Sequence, residues 1–291
     1  MPGTGKEGRG EMINGTTKIY GIFGRPVKHT LSPALHNAAF RHLGMNACYV
    51  PMEVAPEELG AAVAGVRAMN LGGVNVTVPH KVAVLEHLDE AVGVAAELNA
   101  VNVIVNRDGV LLGYNTDVEG FRQSLEHAGV EAAEQAVVVL GAGGAARSVV
   151  RALQKGGASA IALFNRTRGR AEALAEEFSG LGAPVDVWEF SDPEVDTLFE
   201  NSMIVINTTS LGLGKDDPMP VEKEYLRRHH VLVDLIYHPW ETPFLKAGGE
   251  MGALTINGYG MLVFQAMEAF ALWTGRRPPL KVMWDAGLGR R

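Results

Sequence analysis

Short apolar runs alternate with helical stretches along the first 115 residues of the chain. Three of these runs have the length and apolar content of β-strands: 18–24, 48–54 and 72–78. Ser32 and Pro33 open a helix, with serine as its N-cap and proline at the first helical position. Strands that alternate with helices predict a mostly parallel sheet. Asp108-Gly109 lies between two β-rich runs and predicts a hairpin, which ends this first α/β unit.

A second alternating series follows a helical stretch at 117–129. Its strands are predicted near 136–140, 160–165, 185–188, 203–206 and 231–234. The long helical pattern at 258–274 is expected to return to the first domain. We therefore predict an α/β protein with a disordered extension, a first domain, and a doubly wound second domain, with these bounds: 1–16 for the extension, 17–117 with 256–291 for the first domain, and 118–255 for the second.

Composition narrows the function classes. A net charge of −7 and a pI near 5.7 argue against a nucleic-acid or anionic-membrane partner, which would need a basic face. No run reaches the length of a membrane span, and the first fifteen residues lack a signal-peptide core. The single cysteine, Cys48, excludes an internal disulfide and is read as a buried structural thiol. We expect a cytoplasmic protein that acts on a small molecule.

A glycine-rich turn in the second series predicts a dinucleotide site. An apolar strand ends at Gly141, and Ala142, Gly143, Gly144 and Ala145 lead into a helix. Gly141 permits the tight turn, Gly143 lets the backbone approach a pyrophosphate, and the helix N-terminus offers N–H groups. A turn without a ligand is the alternative, and the strand–turn–helix context argues against it.

The end of the next strand predicts which dinucleotide binds. An NAD site has an acid roughly 20 residues past the glycines, for the ribose 2′-hydroxyl. Here no acid appears before Glu172, and five polar or basic residues stand in its place: Asn165, Arg166, Thr167, Arg168 and Arg170. Guanidinium groups and a hydroxyl suit a 2′-phosphate, so we predict NADP. A solvated helix start would also explain the arginines, but basic residues there oppose the helix dipole.

Polar residues gather where the strands of the first domain end: Thr30, Ser32, Asn75, Thr77, Lys81, Asn102, Asn115 and Asp117. Ligands of parallel α/β sheets bind at the carboxyl ends of strands, so these side chains are expected to converge on one crevice. Pro79 is expected to end its strand and to start a helix. Neutral donors with one lysine and one aspartate suit a small polyhydroxylated anion. Each residue taken alone is better explained by a cap, a turn or a surface charge.

The chain resembles the shikimate dehydrogenase family from about residue 18 to about residue 275. The resemblance rests on motifs in the family's order: GRPVKHTLSPALHNAAF, GVNVTVPHK, NAVNVI, GYNTD, GAGGAAR, NRT, INTTSLG, DLIYHPWETPFL and NGYGMLVFQAMEAF. It implies a mostly parallel substrate domain and a Rossmann-like NADP domain, with the active site in the cleft between them. It also implies reversible hydride transfer between NADPH and 3-dehydroshikimate, which gives shikimate for aromatic amino acid biosynthesis.

The resemblance assigns roles by position. Thr30 and Ser32 match hydroxyl groups that bind the substrate carboxylate, and Lys81 matches the catalytic lysine with Asp117 as its partner. Other positions match further substrate contacts: Asn75, Thr77, Asn102, Asp117, Tyr237 and Gln265. The cofactor contacts match the phosphate turn, the 2′-phosphate clamp and the nicotinamide side: Gly141 to Ala145, Asn165 to Arg170, Leu235 and Gly258.

Three positions depart from the family's usual residues. Thr30 stands in place of a serine, Val103 in place of a threonine, and Leu235 in place of a methionine. Thr30 keeps the hydroxyl but adds a methyl group, which bears on selectivity among ring acids. Val103 and Leu235 are apolar fillers with little chemical consequence.

Two versions of the mechanism and three other functions stay open. Lys81 either exchanges the proton itself or stays charged and orients a hydroxyl or water, while Asp117 fixes its position. A quinate or quinate/shikimate dehydrogenase is the nearest rival; the clamp without an acid speaks against NAD, and Thr30 mildly favours quinate. A regulatory NADP-binding protein would need no lysine–aspartate pair, and a structural α/β protein would bind no NADP. No metal is expected, and a homodimer is one assembly compatible with the sequence.

Overall fold

The computed structural model describes residues 13–289, which fold into two compact units. Unit 1 holds the chain up to Asn115 and from Ala266 onward, and unit 2 holds Thr116–Gln265. Most of the predicted N-terminal extension lies outside the described residues. Its described part, 13–16, lies in a turn, where Asn46 Nδ2 donates to Thr16 Oγ1 at 2.9 Å.

The strands and helices mostly alternate along the chain. In chain order the strands are β1 Lys18–Gly24, β2 Ala47–Glu53, β3 Gly73–Val76, β4 Glu90–Ala91, β5 Val103–Arg107, β6 Val110–Tyr114, β7 Ala136–Leu140, β8 Ala160–Phe164, β9 Val185–Trp188, β10 Ile204–Asn207, β11 Val231–Asp234 and β12 Leu254–Ile256. The α-helices are α1 Ser32–His42, α2 Leu59–Ala68, α3 Val94–Glu97, α4 Asp117–His127, α5 Gly144–Lys155, α6 Arg168–Glu177, α7 Val195–Asn201, α8 Pro243–Met251, α9 Tyr259–Thr274 and α10 Leu280–Leu288. The alternation breaks at the β5–β6 hairpin, between β3 and β4, between β10 and β11, and at the C-terminal helix pair.

The sheet of unit 1 is mixed, with the order β2-β1-β3-β5-β6-β4. β1 pairs in parallel with β2 and β3, whereas β5 pairs antiparallel with β3 and β6. The predicted hairpin is confirmed: Asp108 and Gly109 have φ values of 52° and 90°, as a two-residue turn with positive φ at both positions requires. The hairpin thus extends the parallel part of the sheet with antiparallel strands.

The sheet of unit 2 is parallel throughout, with the order β12-β11-β10-β7-β8-β9. The chain builds outward from β7 through β8 to β9, and then returns to the other side of β7 with β10. Strand order therefore reverses between β7 and β10, and ligands of open α/β sheets bind at such a point. The predicted α/β class with a Rossmann-like second sheet is confirmed.

Each sheet is covered by helices that bury apolar side chains. The core of unit 1 centres on β3 and α2, with Val63, Val66 and Val74 at most 1% exposed. The second half of α9 also packs on this sheet, because Trp273 Nε1 donates to the Ile104 carbonyl at 2.9 Å. A Cβ on Gly73 would overlap the Trp273 ring, so glycine is required there. Among residues 13–289, the helices are all too short or too polar to span a bilayer.

Candidate active site

The loop before α1 carries the two hydroxyl side chains predicted to bind a carboxylate. Thr30 Oγ1 donates to Ser32 Oγ at 3.2 Å, and the Ser32 backbone N–H donates to Thr30 Oγ1 at 3.3 Å. Ser32 is 4% exposed and Thr30 is half-buried. The predicted N-cap role of Ser32 is wrong: α1 begins at Ser32, the cap position is Leu31, and no side chain caps the helix. The serine hydroxyl accepts a hydrogen bond from Thr30 instead.

Asn75 and Asn102 are brought together by the pairing of their segments. Asn75 lies in β3 and is 5% exposed, and its Nδ2 donates to the Asn102 carbonyl at 3.2 Å. The same carbonyl accepts the backbone N–H of Val76 at 2.8 Å. On the other side of the amide, the Tyr49 hydroxyl donates to Asn75 Oδ1 at 2.7 Å. The Asn75 amide is therefore held from both ends.

The turn after β3 places Thr77 and Lys81. The Thr77 N–H donates to the Phe23 carbonyl at 2.9 Å, and the Lys81 carbonyl accepts the Val101 N–H at 2.8 Å. Lys81 is therefore fixed by its backbone next to the residue that precedes Asn102. The expectation that Pro79 starts a helix is wrong. The strand ends at Val76, the Val78–Pro79 peptide is cis, and the next helical turn begins at Ala83.

In unit 2, the glycine turn joins β7 to α5 as predicted. The Gly141 N–H donates to the Phe164 carbonyl at 2.7 Å, and the Ala142 N–H donates to Asn165 Oδ1 at 3.2 Å. Gly141 has φ of 107°, and a Cβ there would lie 2.7 Å from Thr208 Oγ1, so only glycine fits. Around Gly143 and Gly144, by contrast, a Cβ would meet no heavy atom within 4 Å. The turn is open where a pyrophosphate would approach it.

A cavity of about 590 Å³ lies beside this turn. Its lining combines polar groups with aromatic rings: Leu140, Gly141, Phe164, Asn165, Arg166, Trp188, Glu189, Phe190, Ser191, Thr209, Ser210, Leu211 and Pro220. Such a mixture suits a nucleotide, whose base is flat and apolar and whose phosphates are charged. The cavity lies at the carboxyl ends of β7, β8 and β9, as the strand order predicts.

Three residues of the predicted 2′-phosphate clamp differ in their surroundings: two line the cavity, and one forms ion pairs with carboxylates. Asn165 and Arg166 line the cavity. Arg168 instead forms ion pairs with Glu172 at 2.8 Å and with Glu189 at 3.4 Å. These two carboxylates, Glu172 first, raise the pKa of the Arg168 guanidinium. Arg166 is thus the arginine that faces the cavity directly.

Leu235 and Tyr237 lie in the segment after β11. Hydrogen bonds to the Asp234 side chain hold the start of this segment in place. Asp234 is fully buried; Thr242 Oγ1 donates to its Oδ2 at 2.6 Å, and the Ile236 N–H donates to its Oδ1 at 3.0 Å. Burial raises the pKa of the Asp234 carboxyl, and the bonds from Thr242 and Ile236 oppose that shift. Burial also raises the pKa of the Tyr237 phenol.

Gly258 meets this segment from the other side. Its N–H donates to the Ile236 carbonyl at 3.1 Å, and a Cβ on Gly258 would overlap the Leu235 carbonyl. The two residues predicted on the nicotinamide side, Leu235 and Gly258, are therefore in direct contact.

Asp117 and Gln265 lie on two helices of unit 2 that cross closely. Asp117 opens α4 and is 6% exposed. One turn later, a Cβ on Gly120 would lie 2.7 Å from the backbone nitrogen of Gln265 in α9. The small residue lets the helices approach, so the start of α4 and Gln265 share one region of the unit.

Tyr49 and Asp234 escaped the sequence analysis. Tyr49 sits in an apolar strand, where an aromatic residue is ordinarily read as core. Asp234 offered a better clue, because a lone acid ends the apolar run VLVD. A buried carboxylate at a strand end must be hydrogen-bonded, and the residues around it are then held in place.

Comparisons with known proteins identify the family of the chain. Family models match in three parts: the shikimate dehydrogenase substrate binding domain over 22–104, shikimate/quinate 5-dehydrogenase over 124–235, and the shikimate 5′-dehydrogenase C-terminal domain over 258–286. The shikimate dehydrogenase (NADP(+)) of Carboxydothermus hydrogenoformans is 46% identical over 276 residues, which cover 94% of this chain and 98% of that protein.

Two solved structures are similar along almost their whole length. Shikimate 5-dehydrogenase of Thermus thermophilus, in complex with NADP(H) and shikimate, superposes with a TM-score of 0.85 at 34% identity, covering 94% of this chain and 100% of that one. Quinate dehydrogenase of Corynebacterium glutamicum, in complex with NAD, gives a TM-score of 0.87 at 29% identity, with coverages of 94% and 99%. The chain therefore belongs to the shikimate dehydrogenase family of oxidoreductases.

Proposed function

We propose that the protein catalyses the reversible NADPH-dependent reduction of 3-dehydroshikimate to shikimate. One observation carries the proposal: the strand ends of unit 1 hold buried hydroxyl and amide groups next to a lysine. A hydrogen bond joins Thr30 to Ser32, and another joins the Asn75 amide to the Asn102 carbonyl. The Lys81 backbone is tied to the segment before Asn102. The glycine turn and the cavity beside it support a dinucleotide as the second substrate.

The chemistry assigns different tasks to these groups. Thr30 and Ser32 hold the ring carboxylate, and Asn75, Thr77 and Asn102 donate to or accept from the ring oxygens. When bound, the nicotinamide supplies or accepts the hydride. Lys81 supplies the positive charge and the proton that a developing alkoxide needs, either directly or through an oriented hydroxyl or water. The role of Asp117 as its partner, and those of Tyr237 and Gln265 as substrate contacts, are carried over from the family.

An NADPH absorbance assay with purified protein tests the proposal. Shikimate and quinate are each offered with NADP and with NAD. We expect the highest kcat/KM for shikimate with NADP. Faster turnover of quinate, the activity that the methyl group of Thr30 would favour, would overturn the assignment of substrate. Binding of NADP without turnover of either acid would indicate a regulatory protein.

Lys81→Ala separates chemistry from binding in the same assay. If Lys81 acts in the transition state, kcat should fall about 10²- to 10⁴-fold while KM for shikimate changes much less. Lys215→Ala, at an exposed lysine of unit 2, serves as the control and should keep wild-type rates. A change confined to KM would reassign Lys81 to substrate binding.

Location and assembly belong to the same proposal. A cytoplasmic protein fits the single cysteine, because no disulfide is available to stabilise the fold in an oxidising compartment. A homodimer stays a prediction, and analytical ultracentrifugation would decide between it and a monomer.

A further inference from the structure

The Tyr49 hydroxyl donates a hydrogen bond to Asn75, one of the predicted substrate residues of unit 1. Tyr49 lies in β2 and is 2% exposed. Asn37 binds its backbone twice, donating to the Tyr49 carbonyl at 2.9 Å and accepting the Tyr49 N–H at 2.8 Å. The ring stacks on His36, with centroids 4.4 Å apart and planes 13° apart. The position of the Tyr49 hydroxyl is therefore fixed by α1 and β2 together.

The hydrogen bonds around this hydroxyl have a defined direction. Asn75 Nδ2 donates to the Asn102 carbonyl, so Asn75 Oδ1 faces Tyr49 and can only accept. The Tyr49 O–H must then be the donor at 2.7 Å. The Tyr49 hydroxyl thus fixes which side of the Asn75 amide is the acceptor.

The result is a line of donors through three residues. Tyr49 donates to Asn75, and Asn75 donates to the Asn102 carbonyl. These residues come from β2, β3 and the segment before β5. Tyr49 has no assigned substrate contact, and it lies at the start of the line.

We propose that Tyr49 is a positioning residue, which orients Asn75 for the substrate. This inference rests on the proposed function. With Oδ1 held by Tyr49 and one N–H held by Asn102, the second N–H of the Asn75 amide is directed to a substrate oxygen. Without the Tyr49 hydroxyl, only the Asn102 carbonyl holds the amide, so the second N–H is no longer fixed in the direction of the substrate oxygen.

Tyr20 provides a matched control in the same aromatic cluster. It is 5% exposed and stacks on Phe40 at 5.2 Å, and burial raises the pKa of its phenol. Its hydroxyl lies against Gly72 rather than a proposed substrate residue. Loss of that hydroxyl changes the core of unit 1 but leaves the line of donors intact.

The test compares Tyr49→Phe, Tyr20→Phe, Asn75→Ala and the double variant Tyr49→Phe/Asn75→Ala. Loss of a buried bond that leaves Asn75 Oδ1 without a donor should lower kcat/KM for shikimate about tenfold in Tyr49→Phe. KM for NADP should stay unchanged, and Tyr20→Phe should match the wild type. The double variant should be no slower than Asn75→Ala alone, because Tyr49 acts through Asn75.

Each other outcome has a defined meaning. Wild-type protein that does not turn over shikimate overturns the proposed function. With an active wild type, the role of Tyr49 is overturned by a Tyr49→Phe rate within about twofold of wild type, below the loss that one buried hydrogen bond implies. It is equally overturned by losses that simply add in the double variant, or by a Tyr49→Phe protein without a cooperative thermal transition, which would make the residue structural.

Discussion

Two arginines of the predicted 2′-phosphate clamp differ in their ion-pair partners. Arg168 is held by Glu172 and Glu189, whereas Arg166 is exposed and lines the cavity. A guanidinium whose charge is already balanced by two carboxylates attracts a phosphate less strongly. We therefore propose that Arg166 is the main contact of the 2′-phosphate, while Asn165 hydrogen-bonds to the glycine turn.

Arg166→Ala tests this division of labour. A charge-assisted bond to phosphate contributes roughly 1.5–3 kcal/mol, so KM for NADP should rise about 10- to 100-fold. KM for NAD, which lacks the phosphate, should change little. Arg168→Ala is the matched control and should raise KM for NADP much less. Equal effects of the two substitutions would contradict the assignment.

Gly141 and Gly143 lie in the same turn between β7 and α5 but have different surroundings, so substitution should affect the turn differently at the two positions. Gly141 has positive φ and closely neighbours Thr208, whereas Gly143 has φ of −94° and open space around it. Gly141→Ala should lower the free energy of unfolding by about 1–3 kcal/mol, because the backbone conformation and the contact are both strained. Gly143→Ala should leave stability unchanged.

For NADP binding, in contrast to stability, Gly143→Ala should have the larger effect of the two substitutions. Its added methyl group would occupy the space through which a pyrophosphate reaches the backbone N–H groups, so Kd for NADP should rise about tenfold or more. Urea unfolding and NADP titration of both variants check the pair. A Gly143→Ala protein that binds NADP normally would show that the phosphates lie elsewhere.

Turns whose backbone conformation is set by their own residues could be predicted from the sequence. The Asp108-Gly109 hairpin and the Gly141 turn depend on backbone conformations that few residues adopt, so their residues identify them. The cap of α1 was mispredicted because Ser32 bonds to Thr30 outside its helix, and the turn at Pro79 because the strand ends before the proline. Tyr49 could not be found at all, since its partners come from other segments.

At the scale of the whole molecule, buried histidine makes stability depend on pH. His36 is fully buried, its ring nitrogens have no hydrogen-bond partner among the described residues, and burial lowers its pKa to about 3. Burial also lowers the pKa of His230. Below pH 6.5 the unfolded chain takes up protons that the folded chain refuses. Stability from these residues is therefore complete above pH 6.5 and is lost as the pH falls toward their folded pKa values.

His36→Leu should flatten this acid-side slope by about 1.4 kcal/mol per pH unit between pH 6 and pH 4, the contribution of one proton. Urea unfolding followed by tryptophan fluorescence at several pH values measures it. His42→Leu, at an exposed position on the same helix, is the control and should keep the wild-type slope. A His36→Leu protein with an unchanged slope would contradict the prediction.

Unit 1 is built from two stretches of chain, with all of unit 2 encoded between them. The Trp273–Ile104 bond joins residues 169 positions apart, and Phe270 reaches Phe40 at 4.9 Å. A ribosome adds about 5–20 residues per second, so roughly ten to thirty seconds pass between synthesis of the first stretch and synthesis of α9. Until then, the aromatic side chains of the first stretch that contact α9 stay uncovered. Unit 2 has an uninterrupted sequence and completes first. The nascent chain thus carries an uncovered apolar surface for that interval, which is when a holding chaperone would protect it.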